Sequence, residues 1–265
     1  MITTDFKFGS PCWIEVTSPD IEASAAFYRE LFGWESAPIG PDSGGYMVLR
    51  RNGAATGGLL PLWGESDRPD WMVYFAAPDV EETLRSVESL GGTLVVEPFD
   101  VGGIGRTSQF LDPQGAPFGV WQSPSSHPGL EVVDQPNSLC WVELWTPDGD
   151  GAREFYTKLF RWELTDLDVP GQAGTYTVIG PEGMGRERAH GGLMAVDSAN
   201  LADTEGSGDW HPVFAVADCD AAVERVRAAG GQVYMGPEST PGVGRLAVCS
   251  DPFRAGFVLL TPSPE

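Results

Sequence analysis

FYRELFGWE at residues 27–35 decides the fold, because the chain repeats it as FYTKLFRWE at residues 155–163. The stretch CWIE at 12–15 returns at the same spacing as CWVE at 140–143. Self-similarity of this kind is the sequence signature of a repeated architecture. Four shorter pairs recur in the same order at a slightly longer spacing: DW at 70–71 and 209–210, GG at 91–92 and 230–231, GR at 105–106 and 244–245, and DP at 112–113 and 251–252. The chain is therefore a tandem duplication whose second copy carries an insertion.

Each half contains two similar sub-units, and hydrophobic periodicity predicts their elements. Residues 13–17 alternate with period two, as in a strand. The following stretch places one apolar stripe on a helix, formed by Ile21, Ala25, Tyr28 and Phe32. Three short strands come next, and the second sub-unit repeats this order with a helix between a capping box and a Gly-Gly pair. The pattern predicts a βαβββ module four times, which is an α+β fold.

Charge and composition exclude several classes of protein. The formal net charge of −22 disfavours nucleic acid and anionic membranes as partners, since Lys and Arg patches bind both. No apolar run approaches the roughly 20 residues of a membrane helix. The first ten residues lack the apolar core of a signal peptide, so we expect a cytoplasmic protein. The four cysteines form no CxxC pair and are expected to be buried free thiols.

The repeated motifs resemble the vicinal oxygen chelate superfamily, which includes glyoxalase I, the bleomycin-resistance proteins and the extradiol dioxygenases. The resemblance is carried by the FY-x-x-LF-x-W segments, the GG-L strands at 57–59 and 191–193, the Gly-Gly pairs and the GR…DP hairpins. The pattern is most similar to that of two-domain actinobacterial glyoxalase-like proteins. It implies two tandem domains with curved mixed sheets around a cavity. We expect domain 1 at 1–124, a linker at 125–135 and domain 2 at 136–265.

The resemblance also implies a divalent metal, held by four cavity-facing residues of each domain. His, Gln or Glu would be needed there, because such cations take N and O ligands. The corresponding positions of this chain are Trp13, a residue near Leu60, Met72 and Gly119, and then Trp141, a residue near Met194, His211 and Val258. Only His211 is a competent ligand, with His190 as a second histidine that could approach it. We therefore expect no cofactor, with a divalent metal at His211 as the alternative.

Strand parity points to further candidates on the inner face of the first strands. If Trp13 and Trp141 point inward, then Glu15, Glu143 and Trp145 do too. A buried carboxylate could serve as a general base, or it could be tied to a backbone amide or to Arg106 or Arg245. Four of the nine tryptophans lie at or beside first strands, which predicts either aromatic-lined cavities or aromatic core packing: Trp13, Trp71, Trp141 and Trp210.

These observations favour a binding protein for a small aromatic or polyketide-like molecule, acting by sequestration or in a metal-free step. The predicted ligand-binding residues are Trp13, Met72, Arg106, Trp141, Trp145, Met194 and Arg245. The alternative is a lyase, isomerase or dioxygenase-type enzyme with Glu15, Glu143 or His211 as catalytic residues. A third reading is a structural or interaction protein with collapsed cavities. A monomer is favoured over a homodimer, since a tandem duplication can complete its cavities within one chain.

Overall fold

The computed structural model describes residues 1–40, 43–62, 68–124, 129–168, 175–201 and 204–263. Each half contains two modules of one strand, one helix and three strands. The first module comprises β1 (Pro11–Ser18), α1 (Ile21–Phe32), β2 (Glu35–Pro38), β3 (Met47–Arg51) and β4 (Ala54–Pro61). The second comprises β5 (Trp71–Ala76), α2 (Val80–Ser89), β6 (Thr93–Asp100), β7 (Arg106–Leu111) and β8 (Pro117–Gln122).

The second half repeats this order, with a shorter β12 and slightly longer strands otherwise. The third module comprises β9 (Ser138–Thr146), α3 (Gly149–Phe160), β10 (Glu163–Asp168), β11 (Thr175–Gly180) and β12 (Gly191–Ala195). The fourth comprises β13 (Asp209–Ala215), α4 (Cys219–Ala228), β14 (Gln232–Thr240), β15 (Gly244–Ser250) and β16 (Gly256–Pro262). Two short 3-10 turns, Arg186–Arg188 and Ser198–Asn200, flank β12. The prediction of four βαβββ modules is confirmed.

The strands form two open, eight-stranded sheets with the same topology. Their orders are β2-β3-β4-β1-β5-β8-β7-β6 and β10-β11-β12-β9-β13-β16-β15-β14. Within each module the first and last strands run parallel, and hairpins join the other pairs in antiparallel fashion. The sheets are therefore mixed, which confirms the predicted α+β class. Residues 125–128 of the predicted linker lie outside the described residues.

Local sequence explains where the helices begin and end. Asp20 caps α1 by accepting a hydrogen bond from the backbone N–H of Ala23, and Gly33 ends it in the left-handed conformation. The buried face of α1 consists of Ser24, Phe27, Tyr28, Leu31 and Phe32. Ile21 and Ala25 of the predicted stripe are only half-buried, because the larger side chains of Phe27 and Leu31 take the core-facing positions. None of the helices in the described ranges has the length and apolarity that a membrane span requires.

The chain divides into two compact units, each built from both halves of the sequence. The first unit comprises Met1–Cys12, Met72–Gly129 and Trp141–His211, and therefore contains most of the second and third modules. The second comprises Trp13–Trp71, Leu130–Cys140 and Pro212–Glu265, with most of the first and fourth modules. Helix packing follows this division, because α2 contacts α3 and α1 contacts α4.

A buried tyrosine–aspartate hydrogen bond lies in each unit. Tyr156 of α3 donates to Asp112 Oδ2 at 3.1 Å, and Tyr28 of α1 donates to Asp251 Oδ2 at 3.2 Å. In the turn after β7, Asp112 Oδ1 accepts backbone hydrogen bonds from Gln114 and Ala116. Burial raises the pKa of Asp112 above its usual range. The tyrosine of each FY motif is thus joined to the aspartate of a DP turn far away in sequence.

Aromatic rings fill the core around each of these pairs. Trp210 is buried and donates through Nε1 to Tyr156 Oη at 2.9 Å, while the ring of Trp162 stacks on Tyr156 with centroids 5.2 Å apart. In the other unit Trp71 is equally buried and packs edge-on against Tyr28. For Trp71 and Trp210, core packing is therefore the correct alternative. Trp13 and Trp141 are half-buried in β1 and β9.

We predict that Tyr156→Phe lowers the free energy of unfolding by about 1–3 kcal/mol, because Asp112 and Trp210 each lose a buried hydrogen-bond partner. Urea denaturation measures the change. Tyr234→Phe is the control, since its ring is 49% exposed and its hydroxyl makes one hydrogen bond, to Ser250. Tyr234 loses one neutral hydrogen bond, whereas Tyr156 loses two, one of them to a carboxylate, so we expect a smaller change at Tyr234, of about 0.5–1 kcal/mol. Equal effects of the two substitutions would contradict the structural role of Tyr156.

Candidate ligand-binding site

Strand β9 presents two chemically different faces. Trp141, Glu143 and Trp145 are half-buried on one face, whereas Val142 and Leu144 are fully buried on the other. This alternation follows from the period of two in a strand. The predicted shared face of Trp141, Glu143 and Trp145 is therefore what the structure shows.

A chain of hydrogen bonds links the polar atoms of this face. Trp141 Nε1 donates to Tyr176 Oη at 2.8 Å, and Tyr176 Oη donates to Glu143 Oε1 at 2.8 Å. Trp145 Nε1 donates to the second carboxylate oxygen, Oε2, at 3.2 Å. Each oxygen of Glu143 thus accepts one hydrogen bond from a neutral aromatic side chain. Because a carboxylate can accept about four hydrogen bonds, Glu143 retains acceptor capacity for a further group.

The second glycine of the GG-L motif makes this chain possible. Glu143 on β9 is the register partner of Gly192 on β12, and the Tyr176 ring lies across that glycine. A Cβ atom at position 192 would lie 2.0 Å from Tyr176 Oη, far inside any van der Waals contact. Any other residue there would displace the tyrosine from Glu143.

Tyr176 remains a hydrogen-bond donor at physiological pH. Burial raises its pKa well above the usual value for tyrosine, and the negative charge of Glu143 raises it further. The phenol therefore stays protonated, and its proton points to the carboxylate.

His211 joins the same site from the neighbouring strand β13. Its ring stacks on that of Trp145, with centroids 4.2 Å apart and planes tilted by 31°. Met194 on β12 is the register partner of Trp145. The structure thus brings together five of the predicted candidates: Trp141, Glu143, Trp145, Met194 and His211. We call the face formed by Trp141, Glu143, Trp145, Tyr176 and His211 the Trp145 face.

His190 does not take part in the site. Strand β9 lies between β12 and β13, so the two histidines are not on neighbouring strands. His190 is buried and contacts the Trp162 ring, with centroids 5.5 Å apart. Burial lowers its pKa to about 3, so it is neutral at physiological pH. The predicted approach of His190 to His211 is wrong.

The first half contains an incomplete copy of the Trp145 face. Trp13 Nε1 donates to Tyr46 Oη at 2.9 Å, and Tyr46 Oη donates to Glu15 Oε2 at 3.1 Å, with Gly58 beneath the tyrosine ring. Thr17 takes the place of Trp145, and its hydroxyl is bonded to the backbone of Asp70. The Trp-Tyr-Glu chain is common to both halves, but the stacked pair of Trp145 and His211 belongs to the second half alone.

The two arginine candidates are engaged elsewhere. Arg106 Nε donates to Glu81 Oε1 at 2.7 Å and pairs with Asp100, and Arg245 forms a two-pronged ion pair with Asp220. Glu81 and Asp220 lie in the first turns of α2 and α4, so each arginine ties a helix start to the adjacent strand. The expectation that these arginines pair with Glu15 and Glu143 is wrong. Met72 is half-buried on β5.

Sequence reasoning missed Tyr46 and Tyr176, the central residues of the two hydrogen-bond chains. A signal for them was present, because glycine precedes each tyrosine closely in the sequence, as SGGY at 43–46 and AGTY at 173–176. The paired Gly58 and Gly192 of the GG-L motifs were a second signal, since glycine in a strand marks a close approach.

The comparison with protein families matches the glyoxalase/bleomycin resistance protein/dioxygenase superfamily at residues 12–120 and again at 138–259. The chain belongs to this superfamily. The relative named "Anthracycline biosynthesis protein DnrV" from Streptomyces peucetius is 35% identical, over 96% of this chain and 94% of its own. The relative named "Putative glyoxylase CFP32" from Mycobacterium tuberculosis is 33% identical, over 99% of this chain and 98% of its own.

Solved structures confirm the superfamily fold. The 2,3-dioxygenase LapB from Pseudomonas sp. KL28 superposes with a TM-score of 0.63 at 15% identity, covering 97% of this chain and 93% of LapB. At this level of identity the likeness concerns the fold alone.

The residues of this chain do not fit the divalent metal that the superfamily implies. His211 is the only competent donor at the corresponding positions, and its ring is stacked on Trp145. Within the described ranges, no three His, Cys, Asp or Glu side chains lie close enough together to hold a metal ion. Glu143 is held by Tyr176 and Trp145. We therefore derive no chemistry through a metal.

We predict that Gly192→Ala displaces Tyr176 and lowers the free energy of unfolding by about 1–3 kcal/mol, as overpacking does. A double-mutant cycle with Tyr176→Ala tests the cause, because removal of the ring should abolish most of the cost. Gly58→Ala with Tyr46→Ala provides the matched cycle in the first half, where a Cβ atom would also lie 2.0 Å from the tyrosine hydroxyl. Strict additivity in the cycles would refute this account of the two glycines.

Proposed function

We propose that this protein binds a small, planar aromatic molecule on the Trp145 face, to sequester it or to assist a metal-free step. The observation that carries the proposal is the stack of Trp145 on His211 beside the Glu143 carboxylate. Both rings are half-buried, so part of each remains accessible to a ligand.

The composition of the face is that of a small-molecule site. Such sites are mostly apolar or aromatic, with a few polar groups that fix the orientation of the ligand. Here Trp141, Trp145 and Met194 supply apolar surface, while Glu143 supplies a polar group with free acceptor capacity. Stacking of a flat ring on an aromatic side chain contributes about 0.5–1.5 kcal/mol of binding free energy, in addition to that from burying apolar surface.

The position of the Trp145 face within the repeat supports the same proposal. The shared Trp-Tyr-Glu chain meets a structural need of both halves, whereas Trp145 and His211 replace Thr17 and Met72 of the first half. An aromatic pair that is not needed for the fold of the sister module is free to serve a ligand.

The name of one relative, DnrV, supports an aromatic ligand. DnrV is named for anthracycline biosynthesis, and anthracyclines are fused-ring aromatic molecules. Its likeness extends over nearly the whole chain, so the two proteins share both halves of the duplication. We therefore choose fused-ring compounds as the first ligands to test.

We predict that 1,8-dihydroxyanthraquinone quenches the tryptophan fluorescence of the protein in a saturable manner. Trp145→Ala and His211→Ala should each weaken binding about tenfold, the equivalent of about 1.4 kcal/mol, because each removes part of the stacking surface. Dissociation constants from isothermal titration calorimetry provide the measurement, since they do not depend on the tryptophan signal.

Tyr234→Ala is the control for this experiment. It removes an exposed aromatic ring from β14, outside the Trp145 face, and should leave the dissociation constant unchanged. The proposal fails if the wild-type protein shows no saturable binding across a panel of fused-ring compounds. It also fails if Tyr234→Ala weakens binding as much as Trp145→Ala does.

A further inference from the structure

We infer that the molecule bound at the Trp145 face carries a positive charge beside its aromatic ring, as a protonated amine does. This inference rests on the proposed function and names the class of ligand more closely. Three observations support it: the charge balance at Glu143, the rings around it, and the net charge of the whole chain.

Among the residues that the structure describes, no lysine or arginine forms an ion pair with the Glu143 carboxylate. Its two hydrogen bonds come from the neutral side chains of Tyr176 and Trp145. Glu143 is partly withdrawn from water, and there the attraction between a carboxylate and a cation is stronger than in bulk solvent. A ligand cation would provide the counter-charge that none of the described lysines and arginines supplies.

The rings around Glu143 favour the same kind of group. Trp145 and Tyr176 each donate a hydrogen bond to the carboxylate, and Trp141 donates to Tyr176, so three aromatic side chains belong to one hydrogen-bond chain that ends at a negative charge. A cation near the face of such a ring gains about 0.5–2 kcal/mol from the ring quadrupole. Aromatic rings together with a carboxylate are a combination that recognises amines.

The net charge of the whole molecule also favours a cationic ligand. The formal net charge is −22, and the resulting field concentrates cations at the surface and repels anions. A ligand with a carboxylate or phosphate would meet both this field and the charge of Glu143. A protonated amine is attracted by both.

The equivalent glutamates of the two halves differ in exposure. Glu15 is only 8% exposed, which leaves little room for a ligand at the equivalent carboxylate. Glu143 is half-buried and more accessible. The difference between Thr17 and Trp145 therefore coincides with a more exposed glutamate and an additional ring.

A pair of matched probes tests the inference. The protonated amine 9-(methylaminomethyl)anthracene and its neutral N-acetyl derivative share the same planar ring system. We expect the amine to bind at least tenfold more tightly, and we expect its affinity to fall with rising ionic strength while that of the acetyl derivative stays constant. Isothermal titration calorimetry gives both dissociation constants.

Variants locate the effect. Glu143→Gln should remove the preference for the amine, because it removes the charge while preserving size. Glu182→Gln is the control, since it makes the same change in net charge at an exposed position outside the Trp145 face. It should preserve the preference.

The pH dependence of the wild-type protein gives a second measurement that requires no variant. Binding of the amine should weaken as the pH rises above the pKa of the free amine, and binding of the acetyl derivative should not change. This readout keeps the inference testable if Glu143→Gln fails to fold.

The outcomes separate this inference from the proposed function. Equal affinities for the two probes, or tighter binding of the acetyl derivative, would overturn the cationic ligand and leave aromatic binding intact. A preference that persists in Glu143→Gln would also overturn it. Absence of binding by both probes and by the neutral anthraquinone would overturn the proposed function as well.

Discussion

The buried hydrogen bond between a helix tyrosine and a turn aspartate is the constraint on which each compact unit depends. Tyr156 reaches Asp112, and Tyr28 reaches Asp251, across long stretches of sequence. Each aspartate also holds its own turn through two backbone amides, so loss of the tyrosine would leave a buried carboxylate partly unsatisfied. One interaction thus explains two of the repeated motifs, the FY segment and the DP turn.

The same core hydrogen bonds determine the geometry of the Trp145 face. Tyr156 Oη donates to Asp112 and accepts from Trp210 Nε1, which fixes Trp210 on the core side of β13. Because successive residues of a strand point to opposite faces, His211 is directed away from that core and onto the ring of Trp145. The buried hydrogen bonds of Tyr156 with Asp112 and Trp210 therefore fix the orientation of β13 and of the stacked pair. A ligand would meet a preorganised surface. Preorganisation reduces the entropy that is lost on binding.

Much of the fold and part of the site could be predicted from the sequence. The repeat and its periodicity predicted four βαβββ modules, and all four are present. Strand parity predicted the shared face of Trp141, Glu143 and Trp145, because parity is a local property.

The hydrogen-bond partner of Glu143 could not be predicted from the sequence. Tyr176 lies 33 residues away, and it meets Glu143 only through the register of three strands. The suggested pairing of Arg245 with a buried glutamate was wrong because a partner lies nearby in the structure. Arg245 forms its ion pair with Asp220.

Duplication provides an internal comparison that a single domain lacks. Two copies of one module share the same folding requirements, so the features common to both, such as the Trp-Tyr-Glu chain over a glycine, are explained by the fold. The positions where the copies differ are under no such shared constraint. Trp145 and His211 lie on adjacent strands and contact each other, so the two differences form one surface. These two neighbouring changes build a stacked pair beside the Glu143 carboxylate, and they are the reason why we propose a ligand site in the second half. The second half of the chain is therefore where the chemistry of recognition should be sought.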